Sequence, residues 1–322
     1  MKILVTGGCG FIGHNVVSTL DNLGHQILIV DNKTNYGIIP RDEIEHIMSR
    51  RCEKISSRVN IREMNVESRH INLAFEQSTP DIVLHMASFP RQTIVNKNPM
   101  SGARVMCEGL LNLLEYSLQY GVKKFVYVSS SMVYGDFKDG VVESQVCKPR
   151  GQYAIMKYMG ELLVADYTRR HGMAHTIIRP SAVYGELDVE DRVISKFMLS
   201  ALRNDVLTVN GEHEYLDFTY IDDTVSGIIA SVLSDNTNNK TYNITRGRSR
   251  SLLDAAKLAI NISGKGTVKI QGRDINFPSR GSLCIDAARQ DFGFNPTVDI
   301  EEGFSRYYDW LISNEYWKNK IS

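Results

Sequence analysis

Long apolar runs are missing from this chain. No segment approaches the roughly 20 consecutive apolar residues that a membrane-spanning helix needs. The N-terminal MKILVTGG reaches a glycine turn too early to be the apolar core of a secretory signal. An excess of charge of one sign is missing as well. Lys+Arg and Asp+Glu both number 37, and basic residues gather only in short pairs such as Arg50-Arg51 and Arg169-Arg170. A nucleic-acid-binding protein would carry a basic stripe, so that class is excluded and the pairs read as solvated helix faces. Cysteine is sparse. Cys9, Cys52, Cys107, Cys147 and Cys284 are scattered, odd in number and without a CxxC pair. That argues against a disulfide framework and against any zinc or other metal site, and fits a reducing cytoplasm. There is no internal repeat and no low-complexity tract.

What is present is 322 residues, 43% of them apolar, enough for one large domain or two modest ones. The first half alternates short β-rich runs with longer helical patterns. KILVTGG, QILIVDN, VNIREMNV, DIVLHMAS, KKFVYVSSS and AHTIIRPSAVYG read as strands. FIGHNVVSTLDNLGH, PRDEIEHIMSRRCEKI, HINLAFEQS, the stretch near Met100–Tyr120 and YAIMKYMGELLVADYTRRHG read as helices. Alternation of this kind predicts βαβ units, hence an α/β fold with a parallel sheet and helices on both faces. The nearly all-apolar strands suit burial on both faces. After about Gly185 the alternation loosens. The reading is a Rossmann domain over residues 1–178 and a smaller C-terminal lobe over 179–322, with segments near 217–245 returning to the first.

TGGCGFIG places Gly7, Gly10 and Gly13 between a strand and a helix. Glycine there lets the chain turn tightly and brings backbone N–H groups close to a diphosphate. The next strand ends in Asp31, whose carboxylate can accept from ribose hydroxyls and would repel a 2′-phosphate. This combination predicts NAD rather than NADP. Further on, FVYVSSSMVYG ends a strand in three serines, and Tyr153 and Lys157 follow four apart on one helix face. A free tyrosine is too weak an acid to serve as a base near neutral pH. A neighbouring ammonium and the positive nicotinamide would favour its phenolate. The set then becomes an acid–base device for a sugar hydroxyl, with a serine bonding the substrate oxygen.

TGGCGFIG, DIVLHMAS, VSSSMVYG, YAIMK, RPSAVYG and DFTYIDD occur in the order and spacing of the extended short-chain dehydrogenase/reductases. Within them the chain most resembles the nucleotide-sugar epimerase/dehydratase group typified by UDP-glucose 4-epimerase. The resemblance implies that Gly7, Gly10, Phe11, Ile12 and Gly13 surround the NAD diphosphate. It implies that Asp31 and Asn32 bind the adenosine ribose, and Asn65 and Val66 the adenine. Met86, Ala87, Ser88, Ser129 and Pro180 would line the cofactor, with Tyr153 and Lys157 reaching it as well. Ser130, Tyr153 and Lys157 take the catalytic positions. The family's paired helices imply a homodimer, and the helices near Met100–Tyr120 and Tyr153–Arg170 carry apolar residues beyond one stripe, as a second partner would require.

Departures from the family pattern narrow the activity. The dehydratases' acidic pair falls here on Ser131 and Met132, and methionine transfers no proton. Met106 and Ala182 stand where Asn is usual, and Leu216 where an Arg grips the nucleotide diphosphate. Arg280 and Arg192 are the candidates to replace that Arg. Arg91, Ser131 and Ala182 are the candidate sugar contacts. The resulting expectation is NAD-dependent epimerisation of a nucleotide-diphosphate sugar at C4 through a transient keto intermediate. A dehydrogenase, a reductase or an atypical dehydratase on the same fold stays open, as does a non-catalytic NAD-binding regulator.

Overall fold

The computed structural model describes residues 1–321 apart from 35, 38 and 190. Its centre is a seven-stranded sheet: β1 (Lys2–Thr6), β2 (Gln26–Asp31), β3 (Asn60–Glu63), β4 (Ile82–His85), β5 (Lys124–Val128), β6 (Ala174–Pro180) and β7 (Lys240–Ile244). The order is β7-β6-β5-β4-β1-β2-β3 and every pairing is parallel. The sequence pattern explains this. In β1, Ile3 and Val5 enter one apolar cluster while Leu4 enters another on the opposite face. A strand buried on both sides must be apolar at every position, and KILVT is apolar from Ile3 to Val5.

The strand order reverses between β1 and β4. In sheets of this kind that switch opens a crevice at the carboxyl ends of the strands. Thr6, at the end of β1, ties the crevice floor together. Its hydroxyl lies 2.7 Å from Nδ1 of His85 at the end of β4, and it accepts the Ala87 N–H at 3.3 Å.

β7 pairs with β6, so the chain re-enters the sheet late in the sequence. The C-terminal segments include helices Val193–Leu202, Leu252–Ser263 and Ile300–Ser313 and the parallel pair Val206–Asn210 with Thr267–Gln271. Their apolar residues, among them Leu199, Leu207, Ala255 and Phe304, belong to the same cluster as Ile3 and Val5. The two parts of the chain therefore share a continuous core. The helix expected near Met100–Tyr120 contains a π-helical turn, Arg104–Glu108, before it continues to Gln119. Met106 lies in that turn and is buried. No helix among the described residues is long and apolar enough to cross a membrane.

Candidate active site

The glycine loop leaves β1 and enters the helix Phe11–Asn22 with almost no free space. A Cβ on Gly13 would lie 2.1 Å from the Gly7 carbonyl oxygen, and one on Gly7 would lie 2.7 Å from the Ala87 nitrogen. Gly7 also has φ +75°, a left-handed conformation that glycine adopts without steric cost. No side chain caps the N-terminus of the helix. Its free N–H groups and the positive end of its dipole are left for an anion. Asp31 fixes the other side of the loop. Its Oδ2 accepts the Cys9 N–H at 2.9 Å and its Oδ1 the Lys33 N–H at 2.7 Å. Burial raises the Asp31 carboxyl, and these two N–H donors work against that shift. Each oxygen retains a lone pair for a ribose hydroxyl.

The loop opens into a cavity of about 320 Å³. Most of the residues singled out from the sequence line it. Gly7, Gly10, Phe11, Ile12, Gly13, Asp31, Asn32 and Val66 form one end, and Met86, Ala87, Ser88 and Arg91 a second wall. Ser129, Ser130, Tyr153, Lys157, Pro180, Ala182 and Arg192 complete it. Three others are not on its wall. Asn65 sits behind Asn32 and accepts its Nδ2–H at 2.9 Å. Ser131 begins the 3-10 turn Ser131–Tyr134 and donates its hydroxyl at 3.1 Å to Ser181, which is on the cavity wall. Arg280 has Glu214 as its charged neighbour, and burial depresses its guanidinium to about 10. Neither Ser131 nor Arg280 is itself among the residues lining the cavity. Arg91 does reach it, but its Nη1 is bound to the Asp191 carboxylate and donates to the Asp191 carbonyl at 3.2 Å.

Burial raises the Tyr153 phenol, and the nearby Ser130 hydroxyl and the Arg192 charge work against that shift. Ser130 Oγ also accepts the Met132 N–H at 3.2 Å. Lys157, one helical turn after Tyr153, donates to the Val128 carbonyl at 2.8 Å and stands 5.2 Å from the centre of the Tyr127 ring. Burial lowers this ammonium to about 7, and the Glu161 carboxylate opposes the change.

Glu161 is a feature the sequence reading missed. It lies one turn beyond Lys157, accepts Ser129 Oγ–H at 2.5 Å, and is gripped by Arg179 Nε at 2.9 Å and Nη2 at 2.6 Å. Arg179 also donates to the Tyr134 hydroxyl at 2.9 Å, and Tyr134 donates to Asn243 Oδ1 at 2.8 Å. The network locks the end of β5 to β6, β7 and the Tyr153 helix behind the cavity. The spacing Tyr153, Lys157, Glu161 along one helix face was the available signal. Asp188 was also missed, and it is a buried carboxylate on the cavity wall.

The chain matches the NAD dependent epimerase/dehydratase family over residues 3–245. A putative UDP-glucose 4-epimerase of Methanocaldococcus jannaschii is 28% identical, with 97% of this chain and 99% of that protein covered. The dTDP-D-glucose 4,6-dehydratase of Mus musculus is 27% identical over 99% of this chain and 91% of its own. Among solved structures, UDP-glucuronic acid 4-epimerase from Bacillus cereus, in complex with UDP-glucuronic acid and NAD, superposes with a TM-score of 0.88. It is 26% identical and covers 96% of this chain and 98% of its own. A glycine cradle that tolerates no Cβ, an uncapped helix N-terminus and a carboxylate at the end of β2 fit a dinucleotide without a 2′-phosphate. The chain belongs to the NAD-dependent epimerase/dehydratase family of nucleotide-sugar enzymes, and NAD is its cofactor.

Proposed function

We propose that the protein epimerises a nucleotide-diphosphate sugar at C4. The observation that carries this reading is that Ser130 and Tyr153 stand together on the cavity wall, next to Ser131 and Met132 where a dehydratase places its acids. Relatives of nearly equal identity include both epimerases and dehydratases, so overall similarity does not choose between them. The residues beside Ser130 support the epimerase reading.

Bound NAD supplies the acceptor and donor of the hydride. The chain's own residues supply the rest. Tyr153 takes the proton from the sugar hydroxyl at its phenolic oxygen and later returns it. Ser130 bonds the reacting sugar oxygen and keeps it in line with that phenol. Lys157 uses one of its three N–H donors on Val128 and keeps two for the nicotinamide ribose. A Tyr153→Phe variant should retain its NAD on extraction and lose turnover by about 10²-fold or more. Normal turnover in that variant would rule the mechanism out.

The dimer proposal rests on two helical stretches that present apolar side chains to solvent. Met100 is 72% exposed, Ile155 52% and Leu162 54%. A homodimer formed by these helices would cover them. Light scattering at micromolar concentration should give twice the chain mass, and Leu162→Glu should halve it. A monomeric parent protein would end this part of the reading.

A further inference from the structure

The cavity wall holds three charged side chains, Arg91 (also paired with Asp191), Asp188 and Arg192, each with one atom that makes no hydrogen bond among the described residues. Arg91 Nε, Asp188 Oδ2 and Arg192 Nε are all buried, and none has a hydrogen-bond partner among the described residues. They are neighbours. Arg192 Nε is 3.9 Å from Asp188 Oδ1, and the Asp188 carboxyl, raised by burial, is held down by the charges of Arg192, Arg91 and Arg51. Asp188 is 2% exposed. A buried carboxylate oxygen without a donor is costly, and such groups in folded proteins normally have a partner.

The backbone is constrained to keep it there. Leu187 has φ +64°, a left-handed conformation unfavourable for a residue with a branched side chain. Arg51, buried beneath the glycine loop, holds that turn by donating from Nε at 3.2 Å and Nη2 at 2.7 Å to the Leu187 carbonyl. The Val189 N–H donates to Asp188 Oδ1 at 2.9 Å, which leaves Oδ2 unpaired. An acceptor beside two N–H donors suits a ligand group that donates one hydrogen bond and accepts another. A hydroxyl does both. A carboxylate would be repelled by Asp188, and an apolar group would leave all three atoms unpaired.

We propose that Asp188, flanked by Arg91 and Arg192, is a hydroxyl-reading subsite that sets which sugar the cavity accepts. This rests on the reading of the cavity as a nucleotide-sugar site. Hydroxyls reach the wall from two sources, the sugar of the substrate or a ribose of the cofactor. Arg91, Asp188 and Arg192 line the same cavity as Ser130 and Tyr153, which favours the sugar.

The test uses the NAD-loaded full chain and its Asp188→Asn variant. Calorimetric binding is measured for glucose and glucuronic acid carried on the same nucleotide diphosphate, over UDP, dTDP and GDP. Extracted NAD is measured in parallel. The glucose form should bind the variant about tenfold or more weakly, since a charge-assisted hydrogen bond is lost. The glucuronic acid form should gain relative to it, because the subsite keeps its arginines and loses its anion. A general structural weakening would not change that ratio. Loss of NAD with unchanged sugar preference would overturn the sugar-setting role and identify the hydroxyl read by Asp188 as a ribose of the cofactor. Unchanged NAD and an unchanged sugar ratio would overturn the proposal. If Asp188→Asn does not fold, Arg192→Gln carries the test, since its side chain is 40% exposed and its loss should shift the ratio towards the glucose form. Binding without turnover in the parent protein would sink the epimerase reading alone, whereas a parent protein that binds none of these sugars would sink both.

Discussion

Replacing Gly13 by alanine should damage cofactor retention far more than stability. The added Cβ would lie 2.1 Å from the Gly7 carbonyl oxygen, 2.9 Å from Gly8 Cα and 3.0 Å from the Gly7 carbonyl carbon. All three are backbone atoms of the same loop, so no rotamer change relieves them. Restoring ordinary contact distances requires the loop and helix to separate by about 1 Å. Overpacking of this kind costs about 1–3 kcal/mol, which for a chain of this size lowers Tm by roughly 1.5–4.5 °C. The same displacement moves the N–H groups that face the diphosphate, and misplacement by about 1 Å can cost about 10²-fold. The assay is NAD released per chain on denaturation, paired with a thermal melt. Gly24→Ala is the control. Gly24 has φ +83° and a Cβ added there would meet nothing within 4 Å, so the variant should lose about 1–2 kcal/mol and no NAD. A Gly13→Ala protein with the parental melt and NAD content would refute the account of the loop.

Asp31→Ala should narrow the preference for NAD over NADP by about tenfold or more in direct binding, because the charge that repels a 2′-phosphate is gone; an unchanged ratio would contradict the role given to Asp31. Arg179→Met should destabilise the fold by about 3–5 kcal/mol by leaving Glu161 buried and uncompensated, whereas Glu161→Leu with Arg179→Met should be nearly neutral in denaturant unfolding. Acid should destabilise the protein well before its carboxylates titrate. Burial holds His14, His85 and His175 at about 3, 3 and 4, so the unfolded chain binds protons near pH 6.5 that the folded chain refuses. Stability from these groups is complete above about pH 6.5 and is lost as pH falls through that value. Asp217, raised to about 7 by burial, stays protonated in the folded chain and opposes them. The three histidines outweigh Asp217, so stability falls as pH drops below about 6.5. A urea midpoint that is flat between about pH 7 and pH 5 would contradict this.

The parts of the site legible in the sequence are those carried by short local motifs on βαβ units. Gly7 to Gly13 announce a tight strand-to-helix turn, and Tyr153 and Lys157 share a helix face whatever surrounds them. The parts that stayed hidden depend on side chains distant in sequence. Asp188 becomes notable only once Arg51, from another helix, is seen holding Leu187 in a left-handed turn. Glu161 reads as an ordinary helix residue until Arg179 and Ser129 close on it from two strands. Ser131 differs from Ser130 by one position, yet Ser130 lines the cavity while Ser131 stands behind Ser181, to which it donates. Segments near 217–245 were expected to return to the first lobe, but the share of helices Val193–Leu202, Leu252–Ser263 and Ile300–Ser313 in its core was out of reach, since periodicity shows that a helix buries a face and not what covers it.

The central claim is that this chain inverts a sugar carbon with no net redox change and no loss of water. The most direct measurement is mass-resolved chromatography after incubating the NAD-loaded protein, without added cofactor, with a panel of UDP-, dTDP-, GDP- and CDP-sugars. The account predicts a product of unchanged mass and new retention time from at least one of them. A product lighter by water, or by two hydrogens with stoichiometric reduction of NAD, would contradict it.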